Sequence, residues 1–287
     1  MGVALVTDST ADLDFARAAA LGIAVVPLSV IFGARSFRDV VDLGRDDFYE
    51  RLRADAELPA TAAPAAGAFE EVFRSALERG DNVLCLTLSG KLSGTLNAAR
   101  AAAAAFPEER IAVVDSMSVS GGMQLLLERA HHLAETGASV REIVGAIERL
   151  RGNVRLHAAL PDLSHLRRTG RIGAAAAVVG SLMRIVPVLS LEDGEVTAVA
   201  QVRTFQRACE RMLDLTVEAI RDPGRTRFIV MHTHAPSLAE RIAAQLRERF
   251  AGTSPRSLEI TEAGPAVAVH AGAGATGIFF LEEQEPE

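Results

Sequence analysis

Four short clusters hold the hydroxyl and carboxylate side chains with which this 287-residue chain could do chemistry. Asp8-Ser9-Thr10 follows the apolar run Val3–Thr7. Ser89-Gly90-Lys91-Leu92-Ser93-Gly94-Thr95 follows Leu84-Cys85-Leu86-Thr87-Leu88. Asp115-Ser116 ends the run Ile111–Val114, and Thr61 sits on a stiff segment between Pro59 and Pro64. Hydroxyls and backbone N–H groups suit a carboxylate or phosphate held by charge-assisted hydrogen bonds. A Ser/Gly/Thr loop that opens a helix adds outward N–H groups and the positive end of the helix dipole. Gly90 and Gly94 allow a sharp turn or a close ligand. The loop lacks the Gly-Lys-Ser/Thr ending of a P-loop and is not GxGxxG. Taken alone, it reads equally as a polar helix cap with no ligand.

Bases are scarcer. Asp8 with Ser9 could form a nucleophile pair, but nothing places a base beside it; capping the next helix or anchoring neighbouring loops is the conservative role for Asp8. His270 stands beside the turn Gly272-Ala273-Gly274 and could serve the site or be structural. His232 and His234 stand two residues apart, but no Cys or carboxylate lies at ligand spacing, so no metal is expected.

The elements that must carry these residues follow from periodicity. Val3–Asp8 predicts a strand, then a helix to Gly22 capped by Ser9 or Thr10. Ile23–Phe32 predicts one long strand. Leu84–Leu88 and Ile111–Asp115 are further strands, with helices between, so βαβ units and a parallel sheet are expected. Parallel strands would bring Asp8-Ser9-Thr10, Ser89–Thr95 and Asp115-Ser116 to one sheet edge, where ligands bind. Ser139 with Glu142 forms a capping box. After Gly152 the rhythm changes. Asp193-Gly194 signals a hairpin between 185–191 and 195–202, and Ala174–Met183 reads as a small-residue helix. Ser237 with Glu240 suggests a second capping box, and Leu258–Thr261, Val267–His270 and Thr276–Leu281 read as strands. The expected fold is α/β in two domains. Residues 1–152 form an N-terminal parallel-sheet α/β sandwich with anion-binding loops, and 153–287 a C-terminal α+β domain with a mixed or antiparallel sheet. The acidic tail from Glu282 is expected to fray.

Composition narrows the function. The net charge is -7, against a nucleic-acid protein. Tyr49 is the only tyrosine and Trp is absent, which leaves little for stacking on bases. Lys91 is the only lysine. Cys85 and Cys209 read as buried thiols of a reducing compartment. No apolar run reaches membrane-spanning length and no leader is evident, so a soluble, cytoplasmic protein is expected.

In this order and spacing, several segments resemble the DegV family, which includes the fatty-acid-binding subunits of bacterial fatty acid kinase. They are Val6–Leu13, Phe37-Arg38-Asp39 before Asp42, Pro59–Pro64, Leu92–Thr95, Val114-Asp115-Ser116, Leu166–Ile172, Leu191–Gly194, and Gly264-Pro265 followed by His270 and the glycine turn. The resemblance runs over essentially the whole chain. It implies a two-domain α/β protein that encloses one long-chain fatty acid, such as palmitate or oleate, with its C-terminal domain closing over an acyl chain in an apolar tunnel. Thr61 and Ser93 would bond the carboxylate, Gly94 would supply backbone, and His270 would stand close. Asp8, Ser9, Thr95, Asp115 and Ser116 would support the loops. Arg171 and Arg203 would face a partner, a separate ATP-dependent fatty acid kinase subunit. The protein itself would be a carrier and not an enzyme, without a cofactor, stable membrane insertion or nucleic acid. The chain departs from the family pattern at Ala62, Ala63, Gly90 and Ala273, and in the thinned basic stretch Arg203-Thr204-Phe205-Gln206-Arg207. The competing readings are a small-anion binding module and a hydrolase or transferase using Ser93 or Asp8 with His270.

Overall fold

A computed structural model describes residues 2–54, 58–179 and 185–283. The chain divides into two compact units, Met1–Gly152 with Gly264–Ala266, and Asn153–Ala263 with Val267–Glu287.

In the first unit, strands β1 (Val3–Asp8), β2 (Ile23–Val26), β6 (Asn82–Thr87) and β7 (Ile111–Asp115) form a parallel sheet in the order β2-β1-β6-β7. Their apolar runs are continuous because both faces are covered. Val6, Val83 and Cys85 pack with Phe69 and Phe73 of α3 (Ala66–Glu78) and Ala99 and Ala102 of α4 (Thr95–Ala103). The alternate residues Leu84 and Leu86 point the other way and are also buried. Helices α5 (Gly121–Glu135) and α6 (Val140–Arg151) pack on β1, β6 and β7, which completes an α/β sandwich. Ser139 and Glu142 make the capping box that opens α6.

A second, antiparallel sheet of the same unit has the order β4-β3-β5, from β3 (Ser29–Phe32), β4 (Arg35–Arg38) and β5 (Ala60–Ala62). Phe32, Phe37 and Phe48 stack edge to face behind it. Phe48 lies on α2 (Arg45–Ala54); the first unit also holds the short α1 (Phe15–Ala20).

The second unit is built on a mixed sheet in the order β10-β9-β8-β13-β11-β12. Its strands are β8 (Arg155–Ala159), β9 (Val186–Glu192), β10 (Glu195–Val202), β11 (Thr226–His232), β12 (Ser257–Glu262) and β13 (Thr276–Glu282). Among the described residues only the β11–β12 pair is parallel. Helices α9 (Phe205–Glu218) and α10 (Pro236–Arg249) lay Met212, Leu213, Ile242 and Leu246 on Val188, Phe228, Val230 and Ile278. His157 of β8 meets Thr216 of α9, Nδ1 to Oγ1 at 3.0 Å, and burial pushes its pKa down to about 4. Shorter helices α7 (Ser164–Arg168) and α8 (Ala176–Val179) lie between β8 and β9 in sequence.

Five sequence expectations change. Ile23–Phe32 is two strands in two sheets, because Pro27 has no N–H to continue a ladder. The helix expected after β1 is a 3-10 turn, Ser9–Ala11, capped by Asp8; Asp12 turns left-handed (φ 55°) and Asp14 caps α1. Val267–His270 is not a strand but part of α11 (Pro265–Ala271), since Pro at the first position favours a helix start and β-branched residues are only mildly unfavourable inside one. Pro236 also opens α10, so Ser237 lies inside that helix and the second capping box does not form. The three-stranded sheet has no counterpart in the sequence pattern, its β4 lying in a stretch that reads as irregular. Of the expected Ala174–Met183 helix, 180–183 lie outside the described residues, as do 284–287 of the tail.

Phe73 is fully buried between α3 and the parallel sheet. Phe73→Ala should cost about 3–5 kcal/mol, read as a lower urea midpoint with an unchanged slope.

Candidate functional site

Because β1, β6 and β7 run parallel, their C-terminal ends share one edge, and three loops leave it. Asp8 ends β1 and is fully buried. Its Oδ1 accepts from the Thr10 N–H at 3.0 Å and from the Thr10 hydroxyl, and its Oδ2 accepts from the Leu88 N–H at 2.8 Å. Burial pushes its pKa up to about 6 against these bonds. Asp8 therefore ties the end of β1 to the end of β6, its acceptors taken by the fold. Ser9 does not form a nucleophile pair with it: the Ser9 Oγ accepts from the Leu28 N–H at 3.0 Å, and its hydroxyl faces Asp39.

The loop between β6 and α4 is largely self-bonded. The Gly90 N–H donates to Asp115 Oδ2 at 3.2 Å, Lys91 to Ser89 Oγ at 3.2 Å, and Leu92 and Ser93 to the Ser89 carbonyl at 3.0 and 3.2 Å. The Ser89 N–H donates to the Ser118 carbonyl at 2.8 Å. This corrects the expectation of several outward N–H groups; among the described residues the Gly94 N–H is the one of these loop amides with no protein acceptor. Beside it, Ser93 Oγ accepts from the Thr95 N–H at 3.3 Å and shares a 2.9 Å hydrogen bond with the Thr95 hydroxyl. When Thr95 is the donor there, the Ser93 proton is left for an outside acceptor. Ser93 is half-buried, while Thr95 is fully buried.

Asp115 and Ser116 serve the neighbouring loop. Asp115 Oδ1 accepts from the Met117 N–H at 2.8 Å, and Ser116 Oγ from the Ser118 N–H at 3.1 Å. Thr61 lies half-buried on β5, opposite Val30 of β3.

In the second unit, His270 is half-buried near the end of α11. Burial first, then the charges of Arg171 and His165, push its pKa down to about 4. At neutral pH it is an uncharged ring, able to donate one N–H. Arg171 is half-buried and bonds the Thr169 carbonyl. Arg203 is exposed between β10 and α9.

Two buried acids carry more than their sequence context suggests. Asp12 Oδ1 accepts from the Gly264 N–H at 2.8 Å, and Asp39 Oδ1 from the Ala266 N–H at 3.0 Å. They hold the start of α11 across 252 and 227 residues of sequence. A Cβ at Gly264 would stand 3.3 Å from Asp12 Oδ1 and from Val40 Cγ1, so those side chains would have to give by a few tenths of an ångström. Asp12, Val40 and Ser120 all have left-handed backbones (φ 55°, 55° and 51°). Burial pushes Asp12 up to about 8, opposed by the Ser120 hydroxyl, the Gly264 N–H and Arg45, with Asp39 adding to the rise. Burial raises Asp39 to about 6.

The relatives of this chain agree with one another. A family model described as "Uncharacterised protein, DegV family" matches residues 2–283. A DegV domain-containing protein of Halalkalibacterium halodurans is 35% identical over 283 residues, 98% of this chain and 99% of that protein. One from Deinococcus radiodurans is 36% identical over 278 residues, 97% and 98% of the two chains. Among solved structures, a DegV family protein from Thermus thermophilus, described by its fatty acid binding, is similar at TM-score 0.90 and 34% identity, covering 99% of this chain and 100% of that one. DegV of Bacillus subtilis, described as a fatty acid binding protein, is similar at TM-score 0.87 and 27% identity, with the same coverage.

The three raised carboxyls of Asp8, Asp12 and Asp39 make stability pH-dependent. The unfolded chain releases these protons near 3.8, the folded protein only near 6 and 8. Their contribution is thus full below about 3.8 and is lost as the pH rises through those folded values. His157 and His270, lowered from 6.5 to about 4, act below 6.5 and in the opposite sense. The urea midpoint should therefore fall between pH 7 and pH 9, and Asp12→Asn should flatten that fall. An identical fall in both proteins would place its cause elsewhere.

Proposed function

The chain belongs to the DegV family, and on that premise we propose that it is a carrier that binds one long-chain fatty acid without altering it. The full-length likeness to the Thermus thermophilus protein, itself described by fatty acid binding, carries this reading. The donor chemistry of the chain supports it. A carboxylate taken out of water must be hydrogen-bonded. On this reading the hydroxyls of Thr61 and Ser93 and the N–H of Gly94 supply the bonds, with neutral His270 as a further donor. Such a site is rich in donors and poor in bases, which suits holding a carboxylate more than attacking one. Enclosing the acyl chain in an apolar tunnel adds about 0.8 kcal/mol per CH₂, so the tail supplies affinity and the polar end orientation.

A free carboxylate is a poor acyl donor until activated. The carrier would present it to a separate ATP-dependent kinase that phosphorylates the carboxyl group, and Arg171 and Arg203 would meet that partner. Asp8, Ser9, Thr95, Asp115 and Ser116 then act as loop supports.

Denaturing mass spectrometry of an organic extract from the purified protein should release a fatty acid in about one-to-one ratio. Finding none, with no uptake of added palmitate or oleate, would overturn the reading. Each hydrogen bond to a charged group contributes about 1.5–3 kcal/mol. Thr61→Val combined with Ser93→Ala should thus weaken oleate binding more than about tenfold, with the thermal transition retained. Unchanged affinity would remove these two residues from the carboxylate site.

A further inference from the structure

His165 lies half-buried on α7, and its ring is engaged with the end of α11. Its Nδ1 stands 3.1 Å from the Val269 carbonyl oxygen. A carbonyl only accepts, so Nδ1 carries the proton and donates. Val269 is in the last turn of α11, where carbonyls have no partner within the helix. The chain closes that turn by donating the Gly272 N–H to the Ala268 carbonyl at 2.9 Å, and His165 takes the next carbonyl along. The same imidazole lies over Gly272. A Cβ there would stand 3.0 Å from His165 Cδ2 and 3.3 Å from Nε2, and the backbone is left-handed, φ +73°. His270 therefore sits between two points that His165 fixes, one residue after Val269 and two before Gly272. Each side is braced in turn. The Thr169 N–H and hydroxyl both donate to the His165 carbonyl, at 3.0 and 2.8 Å. The Thr233 hydroxyl donates to the Gly272 carbonyl at 2.6 Å.

From this geometry we infer that His165 is a positioning residue for His270, capping the last turn of α11 and so setting where the His270 imidazole points. The functional arm of the inference rests on the fatty-acid reading above; the structural arm does not. Burial first, then Arg171 and His165, hold the His270 ring uncharged. An uncharged donor can bond a carboxylate without adding a fixed cation.

The test follows the His270 Cε1–H signal by NMR in ligand-free protein from pH 8 to about pH 5, beside oleate titrations. Wild-type His270 should stay neutral throughout. His165→Phe keeps a ring but removes the Nδ1 donor; the end of α11 should then loosen and the His270 ring lose burial, so it should begin to protonate within that range, and oleate affinity should fall about three- to tenfold, the size of one lost hydrogen bond. His165→Asn, whose amide N–H can replace Nδ1–H, should restore most of the affinity. His165→Gln, with its donor one carbon further out, should not, and it replaces the Phe variant if that protein does not fold. A His270 titration unchanged in the Phe or Gln variant overturns the positioning role, even if affinity falls. A shifted titration with wild-type affinity overturns its bearing on the ligand. If wild-type protein binds no oleate, the fatty-acid reading fails, while the NMR result still decides the positioning of His270.

Discussion

A buried carboxylate sets the working edge of the parallel sheet. Asp8 is removed from water at the end of β1, and a carboxylate in that position is tolerated only when donors replace its hydration. The Thr10 N–H, the Thr10 hydroxyl and the Leu88 N–H do so. Those bonds hold two strand ends in register where their loops diverge. Thr7, one residue earlier, adds a hydroxyl donated to the Leu86 carbonyl at 2.8 Å. The loop that carries Ser93 thus starts from a fixed point.

From that point outward, polar groups are spent on the fold first. Asp115 binds the Gly90 and Met117 amides, Ser116 binds Ser118, and Ser89 organises the residues after it. The Gly94 N–H and the hydroxyl pair Ser93–Thr95 remain at the head of α4. A rigid frame with few uncommitted donors suits a non-covalent holder, since donors already in place need no ordering when an anion arrives.

The parts legible in the sequence were local. Val3–Asp8 and Ile111–Asp115 stood out because doubly covered strands are uninterrupted apolar runs, and Ser139 with Glu142 because a capping box is complete within four residues. The Asp193-Gly194 hairpin was equally plain, with positive φ at both residues. Where the structure departs from the sequence pattern, something distant or a single proline decides. Val267 and Val269 look like a strand, yet Pro265 and the caps from Asp12 and Asp39 make that segment helical. Pro27 divided a run that hydropathy alone kept whole. The loop 89–95 reads as polar, but pairing of its amides with Ser89, Asp115 and Ser118 depends on β7 lying beside β6. His165 carried no sequence signal, because its partner carbonyl lies 104 residues away.

The left-handed backbones of Asp12, Val40 and Ser120 bear on how this chain can change. A non-glycine residue in that conformation costs about 1–2 kcal/mol, and for β-branched Val40 glycine or asparagine would be the easier choice. A lineage under thermal selection would find such replacements readily. Here, though, the Val40 side chain is one wall of the tight space around Gly264. Relief of strain at one position loosens a constraint at another, so these positions are expected to drift together.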